Sequence, residues 1–288
     1  DKNARPYQKR LAQAAAERYE PLMQATLPIG VFDSGVGGLT VLHALTDLLP
    51  SESILYLGDT ARVPYGTKSA AVVEAYAIRC AGFLVKQGAK AIVIACNTAS
   101  AVAVESIRNE FNIPVVGVIE PGAEVASKLT QNGRIGIMGT QGTIQSGAYQ
   151  TAIEKLRPGT TVIGQACPLL VPLAEEDLVE HPATRLLAQD YLKPLLEQNV
   201  DTLVLGCTHY PLFKELLQEL AGDEIKIVDS AIAVADAVKK ELETNQLRTP
   251  EQAIGSRRIF ATDWGQRFEQ VGSRFLGNHI PEVEHVDL

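Results

Sequence analysis

The chain has 288 residues, 46% hydrophobic and 21% charged, with a formal net charge of −8. This is the composition of a folded globular protein rather than a disordered one, and the acidic balance argues against a broad nucleic-acid-binding face. No run approaches the roughly 18 apolar residues that span a bilayer, and residues 1–20 lack the apolar centre of a signal peptide, so no membrane partner is expected and the expected location is the cytoplasm.

In chain order, residues 2–24 form an alanine-rich stretch with Lys2, Arg5, Lys9, Arg10 and Arg18 among Leu, Ala and Tyr. It reads as an N-terminal helical extension over 1–26, with Pro28 before the fold proper. From Ile29 onward, short apolar runs alternate with helical stretches. Strands are predicted over 29–33, 54–57, 91–95, 115–118, 134–138, 161–164, 202–206 and 225–228. Helices are predicted over 38–48, 69–87, 99–110, 184–197 and 212–220. Most of the strand runs are continuous Val, Ile and Leu, as parallel strands covered on both faces require. The alternation predicts an α/β fold, with ligands collecting at the carboxyl ends of the strands.

The pattern repeats. Ile29-Gly30-Val31-Phe32-Asp33 opens one half and Ile135-Gly136-Ile137-Met138-Gly139-Thr140 the other. Each half also holds a strand that ends in a cysteine, Ala95-Cys96-Asn97-Thr98 and Gly206-Cys207-Thr208-His209. Two similar α/β domains are predicted, 27–119 plus 231–288 and 120–230, with a switch near Glu120-Pro121-Gly122 and a cleft between them.

The loop Asp33-Ser34-Gly35-Val36-Gly37-Gly38-Leu39-Thr40 has a G-x-G start, but Thr40 replaces the third glycine of a dinucleotide fingerprint and no Gly-Lys-Ser/Thr follows. Asp59 would be the ribose-binding acid of that weaker reading. Anion binding by free N–H groups at a helix start is the better use of such a loop. Pro64-Tyr65-Gly66 reads as a turn with a half-buried tyrosine. No CxxC or other metal-type spacing exists, so the four cysteines read as free thiols, with Cys80 and Cys167 as packing residues. Cys96 and Cys207 differ because each ends a strand where helix N–H dipoles favour thiolate. Asn97, Thr98, Thr208 and His209 offer hydrogen bonds beside them.

At these residues the chain resembles the cofactor-independent glutamate racemases of the aspartate/glutamate racemase superfamily. The resemblance runs from about residue 29 to the C-terminus through Phe32-Asp33-Ser34-Gly35-Val36-Gly37-Gly38, Pro64-Tyr65-Gly66, Ala95-Cys96-Asn97-Thr98-Ala99 and Leu205-Gly206-Cys207-Thr208-His209-Tyr210-Pro211. Val171-Pro172-Leu173-Ala174-Glu175 and Val283-Glu284-His285-Val286-Asp287 add to it. It implies interconversion of L- and D-glutamate for peptidoglycan synthesis, without metal or other cofactor. Cys96 and Cys207 would be the acid/base pair on opposite faces of the substrate Cα, with Asp33 beside the first and Glu175 and His209 beside the second. Glu176 competes with Glu175 for that role. Asp33, Ser34, Tyr65, Gly66, Asn97, Thr98, Thr208 and His209 would hold the substrate's amino and carboxylate groups. The family includes both homodimers, of differing geometry, and monomers, and some of its members with N-terminal extensions are activated by a peptidoglycan precursor.

A free thiolate with a pKa near ~8.5 removes an amino-acid α-proton poorly, so preorganised donors must stabilise the carbanion-like transition state. Two bases are required because one alone returns its proton to the same face. The residues by themselves leave open an aspartate or other amino-acid racemase, a two-domain binding module for a small acid and a cysteine hydrolase.

Overall fold

The computed structural model describes residues 24–263, 266–277, 280 and 282–288. The expected N-terminal helix therefore lies outside the described residues, apart from its last positions. Strands β1 (Ile29–Asp33), β2 (Ile54–Gly58), β3 (Ala91–Ile94), β4 (Val115–Gly117), β9 (Arg257–Ala261) and β10 (Val283–His285) form a six-stranded sheet in the order β10-β9-β2-β1-β3-β4. Strands β5 (Arg134–Gly139), β6 (Thr161–Ala166), β7 (Thr202–Gly206) and β8 (Lys226–Asp229) form a second sheet in the order β6-β5-β7-β8. Every strand pairing is parallel.

The order β2-β1-β3-β4 in the first sheet is matched by β6-β5-β7-β8 in the second. β3 and β7 thus hold equivalent places, and each is followed within two residues by a cysteine. This is the pseudo-symmetry that the repeat predicts.

The burial pattern explains the continuous apolar runs: β1, β2, β3 and β7 are buried along their whole length because helices cover both faces. Val31, Tyr56 and Val93 of the first sheet share one core cluster with Met138, Leu203 and Leu205 of the second. Each such side chain contributes about 1.5–3 kcal/mol by leaving water, so the two sheets are held as one body at the base of the cleft. Helix α10 (Ser230–Thr244) closes this seam, packing on α1 (Leu39–Leu48) and on α4 (Ile119–Leu129).

Part of the fold differs from the sequence reading. β9 opens with Arg257 and Arg258, so its apolar run is only Ile259-Phe260-Ala261, too short a signal to stand out. Glu120-Pro121-Gly122, where the sequence reading puts the switch between halves, lies in the first turn of α4, since proline is tolerated where the N–H groups have no intrahelical partner.

At the amino ends of the strands, away from the cleft, Lys90 just before β3 meets Glu52 just before β2. Lys90 Nζ stands 2.5 Å from Glu52 Oε2, and both side chains are 1% exposed. Thr249 donates its N–H to Glu52 Oε1 at 2.8 Å and its hydroxyl to Oε2 at 2.7 Å. Lys90 also donates to the Ala25 carbonyl, which ties the start of the described chain to this end of the sheet.

Candidate active site

β1, β3 and β7 end at one edge of the fold, so the loops after them face one another across the cleft. Asp33 ends β1, in register with Gly58 at the end of β2. Cys96 caps α3 (Asn97–Glu110) with an extended backbone, φ −69° and ψ 121°, so its thiol sits at the helix's free N–H groups. Cys207 follows β7 and is carried into a 3₁₀ turn over Tyr210–Phe213. Both thiols are free, buried and part of the wall of a cavity of about 410 Å³.

That cavity is also lined by Ser34, Tyr65, Gly66, Asn97, Thr98, Glu175, Thr208 and His209. Of the residues predicted for the site, only Asp33 stands behind the wall rather than in it, fully buried. Its Oδ2 accepts from the Gly35 N–H at 2.9 Å, and the N–H groups of Ser34 and Gly38 also support it. The N–H donors expected to bind a ligand's anion are thus engaged by the chain's own carboxylate. Burial nevertheless raises the Asp33 pKa, with His209 opposing.

Burial also governs the thiols. It pushes Cys96 up to about 11, aided by the nearby Asp33 charge and opposed by Ala99, Ser34 and Thr98 donors. Cys207 is pushed up further by burial, with Cys96 and Asp33 adding to the rise and the His209 N–H opposing. The expectation that helix dipoles favour thiolate is overridden: desolvation of a buried anion outweighs a few aligned N–H groups.

On the Cys207 side, His209 Nδ1 lies 3.9 Å from the sulfur, and His209 Nε2 lies 3.0 Å from Glu175 Oε1. Phe275 of α11 (Gln266–Leu276) packs edge-on to the imidazole with ring centroids 5.0 Å apart. Glu176, the competing carboxylate, is exposed and does not line the cavity. A Cβ at Gly37 would lie 2.4 Å from Thr208 Oγ1 and 2.5 Å from His209 Nδ1. Gly37→Ala must therefore displace the Thr208 and His209 side chains, and a misplacement near 1 Å can cost about 10²-fold in rate. We expect turnover at this site to fall at least about tenfold with the far-ultraviolet circular dichroism spectrum retained. An unchanged kcat/KM would show that the close approach does not matter.

The Asp/Glu/Hydantoin racemase family model matches residues 37–238. The glutamate racemase of Syntrophus aciditrophicus is 53% identical over 261 residues, covering 91% of this chain and 97% of that protein. The chain belongs to the glutamate racemases of this family. The glutamate racemase of Francisella tularensis, solved in complex with D-glutamate, superposes with a TM-score of 0.85 at 38% identity, covering 91% of this chain and 98% of that one. The Escherichia coli glutamate racemase, solved with L-glutamate and the activator UDP-MurNAc-Ala, gives 0.71 at 30% identity over 86% and 95% of the two chains.

The racemase cavity has walls that the sequence reading missed. Thr140, directly after β5, bonds Thr98 through the two hydroxyls at 2.9 Å, and Thr143 lies 3.0 Å from Thr140 and 3.3 Å from Thr98. These contacts link the Cys96 helix to the second sheet. The signal was available: Thr140 follows the strand equivalent to β1, so its place matches that of Ser34. Pro168, Val171 and Pro172 form an apolar wall. Cys167, beside Pro168, is buried, as is Cys80. Tyr65 is fully buried rather than half-buried, its hydroxyl donating to Asp59 Oδ2 at 2.5 Å. Asp59 also receives Arg62 at 2.7 Å and Thr262 at 3.0 Å, which accounts for it as a structural hub rather than a ribose ligand.

Proposed function

We propose that the chain interconverts L- and D-glutamate by proton transfer at Cα between Cys96 and Cys207. The observation that carries this reading is the placement of two free, buried thiols, following equivalent strands of two related sheets, in the wall of one cavity. From D-glutamate, the Cys96 thiolate takes the α-proton and becomes a thiol while the Cys207 thiol delivers its proton to the opposite face and becomes thiolate. L-glutamate runs the same steps in reverse, so the protonation states of the pair record which enantiomer was last released.

No lysine or arginine lines the cavity among the described residues. Hydroxyls, the Asn97 amide and backbone N–H groups therefore hold the substrate's carboxylates, and the same fixed donors stabilise the charge that develops as the α-proton leaves. Asp33 acts from behind Cys96, and the Glu175–His209 pair acts beside Cys207. The reading divides the chain into 27–119 with 231–288 and 120–230, which close on the substrate and exclude water from it. Its product is D-glutamate for peptidoglycan, made in the cytoplasm; no helix among the described residues is long and apolar enough to cross a membrane. Activation by a peptidoglycan precursor, as named for the Escherichia coli enzyme, extends to this chain as part of the reading. Its basic extension, Lys2 to Arg18, supplies the charge for such an anion.

The test is incubation of the purified chain with L-glutamate in D₂O, without added cofactor. Loss of optical rotation with deuterium entering Cα of the product is expected. A folded chain that exchanges neither enantiomer overturns the reading.

A further inference from the structure

Asn97 opens α3 one position after Cys96 and lines the cavity. Only one end of its amide is tied. Tyr149, on helix α6 (Ala148–Leu156) of the second sheet's unit, donates its hydroxyl to Asn97 Oδ1 at 2.8 Å. Asn97 Nδ2 is buried and has no partner among the described residues.

The phenol decides which way the amide stands. Burial, with the nearby Cys207 adding to it, pushes the Tyr149 hydroxyl well above its ordinary range, so it remains an O–H donor. Asn97 Oδ1 is its acceptor, and among the described residues it has no other. A reversed amide could donate to the phenolic oxygen but would leave the phenolic hydrogen buried without a partner. The observed orientation satisfies the phenol and leaves both Nδ2 hydrogens free. The Tyr149 ring is itself held in place: a Cβ at Gly206, the residue before Cys207, would lie 3.2 Å from Tyr149 Cε2. One side chain thus touches the backbone on the near side of one cysteine and the side chain on the far side of the other.

We propose that Tyr149 is a positioning residue for the racemisation, holding the Asn97 amide so that Nδ2 is offered to the substrate's carboxylate. Buried Nδ2 has no protein acceptor, and a carboxylate in the cavity supplies one. Because the hydroxyl comes from the second unit and the amide from the first, the donor is aimed only when the two units are in register. The inference rests on the proposed glutamate racemisation.

Tyr149→Phe keeps the ring against Gly206 and removes only the O–H. With glutamate as substrate, kcat/KM is expected to fall about tenfold, by the same factor from L- and from D-glutamate. Asn97→Ala is expected to fall further, and the Asn97→Ala/Tyr149→Phe double variant no further than Asn97→Ala alone. That non-additivity is the signature of one group acting through another. A purely structural tyrosine would instead lower the double variant by its own full factor, which overturns the inference, as does an unchanged kcat/KM in Tyr149→Phe. Thermal melts of all three variants establish that each is folded at the assay temperature. If the wild-type chain shows no turnover of glutamate, the functional reading has failed and the inference falls with it.

Discussion

Replacing either cysteine of the cavity with alanine should lower racemisation by at least about 10³-fold in both directions, the effect of removing one proton-transfer group. By transition-state arithmetic that is about 4 kcal/mol of barrier. The two variants should nevertheless differ in what they retain. Cys207→Ala keeps Cys96, which still reaches the α-proton of D-glutamate and can return solvent deuterium only to the face it came from. D-Glutamate should therefore acquire deuterium without inversion, while L-glutamate stays unlabelled. Cys96→Ala should show the mirror result. The distinction separates a two-base site from a single base with a tumbling intermediate, which would scramble both enantiomers from either variant. Both sulfurs are buried, so each truncation also leaves a small void, and a modest drop in melting temperature is expected with the fold intact. Near-normal turnover in either variant, measured by circular dichroism of the glutamate, would remove the two-thiol mechanism.

What made this pair legible in the sequence is that its setting is local. A continuous apolar run, a cysteine and a small polar residue occupy fewer than ten positions, and the α/β alternation states that such positions gather at one edge. Thr140 shared that logic and was missed because the second half has no aspartate there to mark the site. The resemblance favours Glu175 over Glu176, but the local pattern of the residues does not separate the two. Adjacent residues on a helix point roughly 100° apart, and only the packing of α7 (Leu170–Glu175) against the His209 turn selects one of them. The thiol pKa shifts were misjudged for a related reason. The helix start is visible in the sequence, whereas the burial that outweighs it depends on both sheets closing over the same atoms. Tyr149 lies 52 positions from Asn97, and no periodicity connects them.

The Lys90–Glu52 pair is the extreme of that non-locality, 38 positions apart and buried, and it yields the largest expected effect on stability. Glu52→Ala strands the Lys90 ammonium in a site where its side chain is 1% exposed, and it also removes the acceptor of the Thr249 N–H. Breaking one partner of a buried pair costs about 3–5 kcal/mol, a large part of the total stability of a domain. The Arg258–Glu284 pair, with side chains 48% and 45% exposed, is the control, and its loss should cost at most about 1 kcal/mol. The pH dependence gives the sign. Burial already lowers the Lys90 pKa, with Glu52 opposing, so removing Glu52 lowers it further. At Lys90 the folded variant then binds fewer protons than the unfolded chain until the pH exceeds the ordinary lysine value, so this group's contribution rises with pH. The thiols of Cys80, Cys96, Cys167 and Cys207, all pushed up by burial, instead lower the stability of variant and wild type alike above the ordinary thiol value. Chemical denaturation from pH 7 to pH 10 should therefore show the stability gap between the wild type and Glu52→Ala narrowing, since the thiol contribution is common to both and cancels in the difference. The double variant Glu52→Met/Lys90→Met removes the stranded ammonium and leaves only the partly exposed Arg248, 3.6 Å from Glu52 Oε1 in the wild type, so it should be more stable than Glu52→Ala at pH 7. Equal stabilities for the single and double variants would show that the cost lies in the lost hydrogen bonds to Thr249 and not in the stranded ammonium.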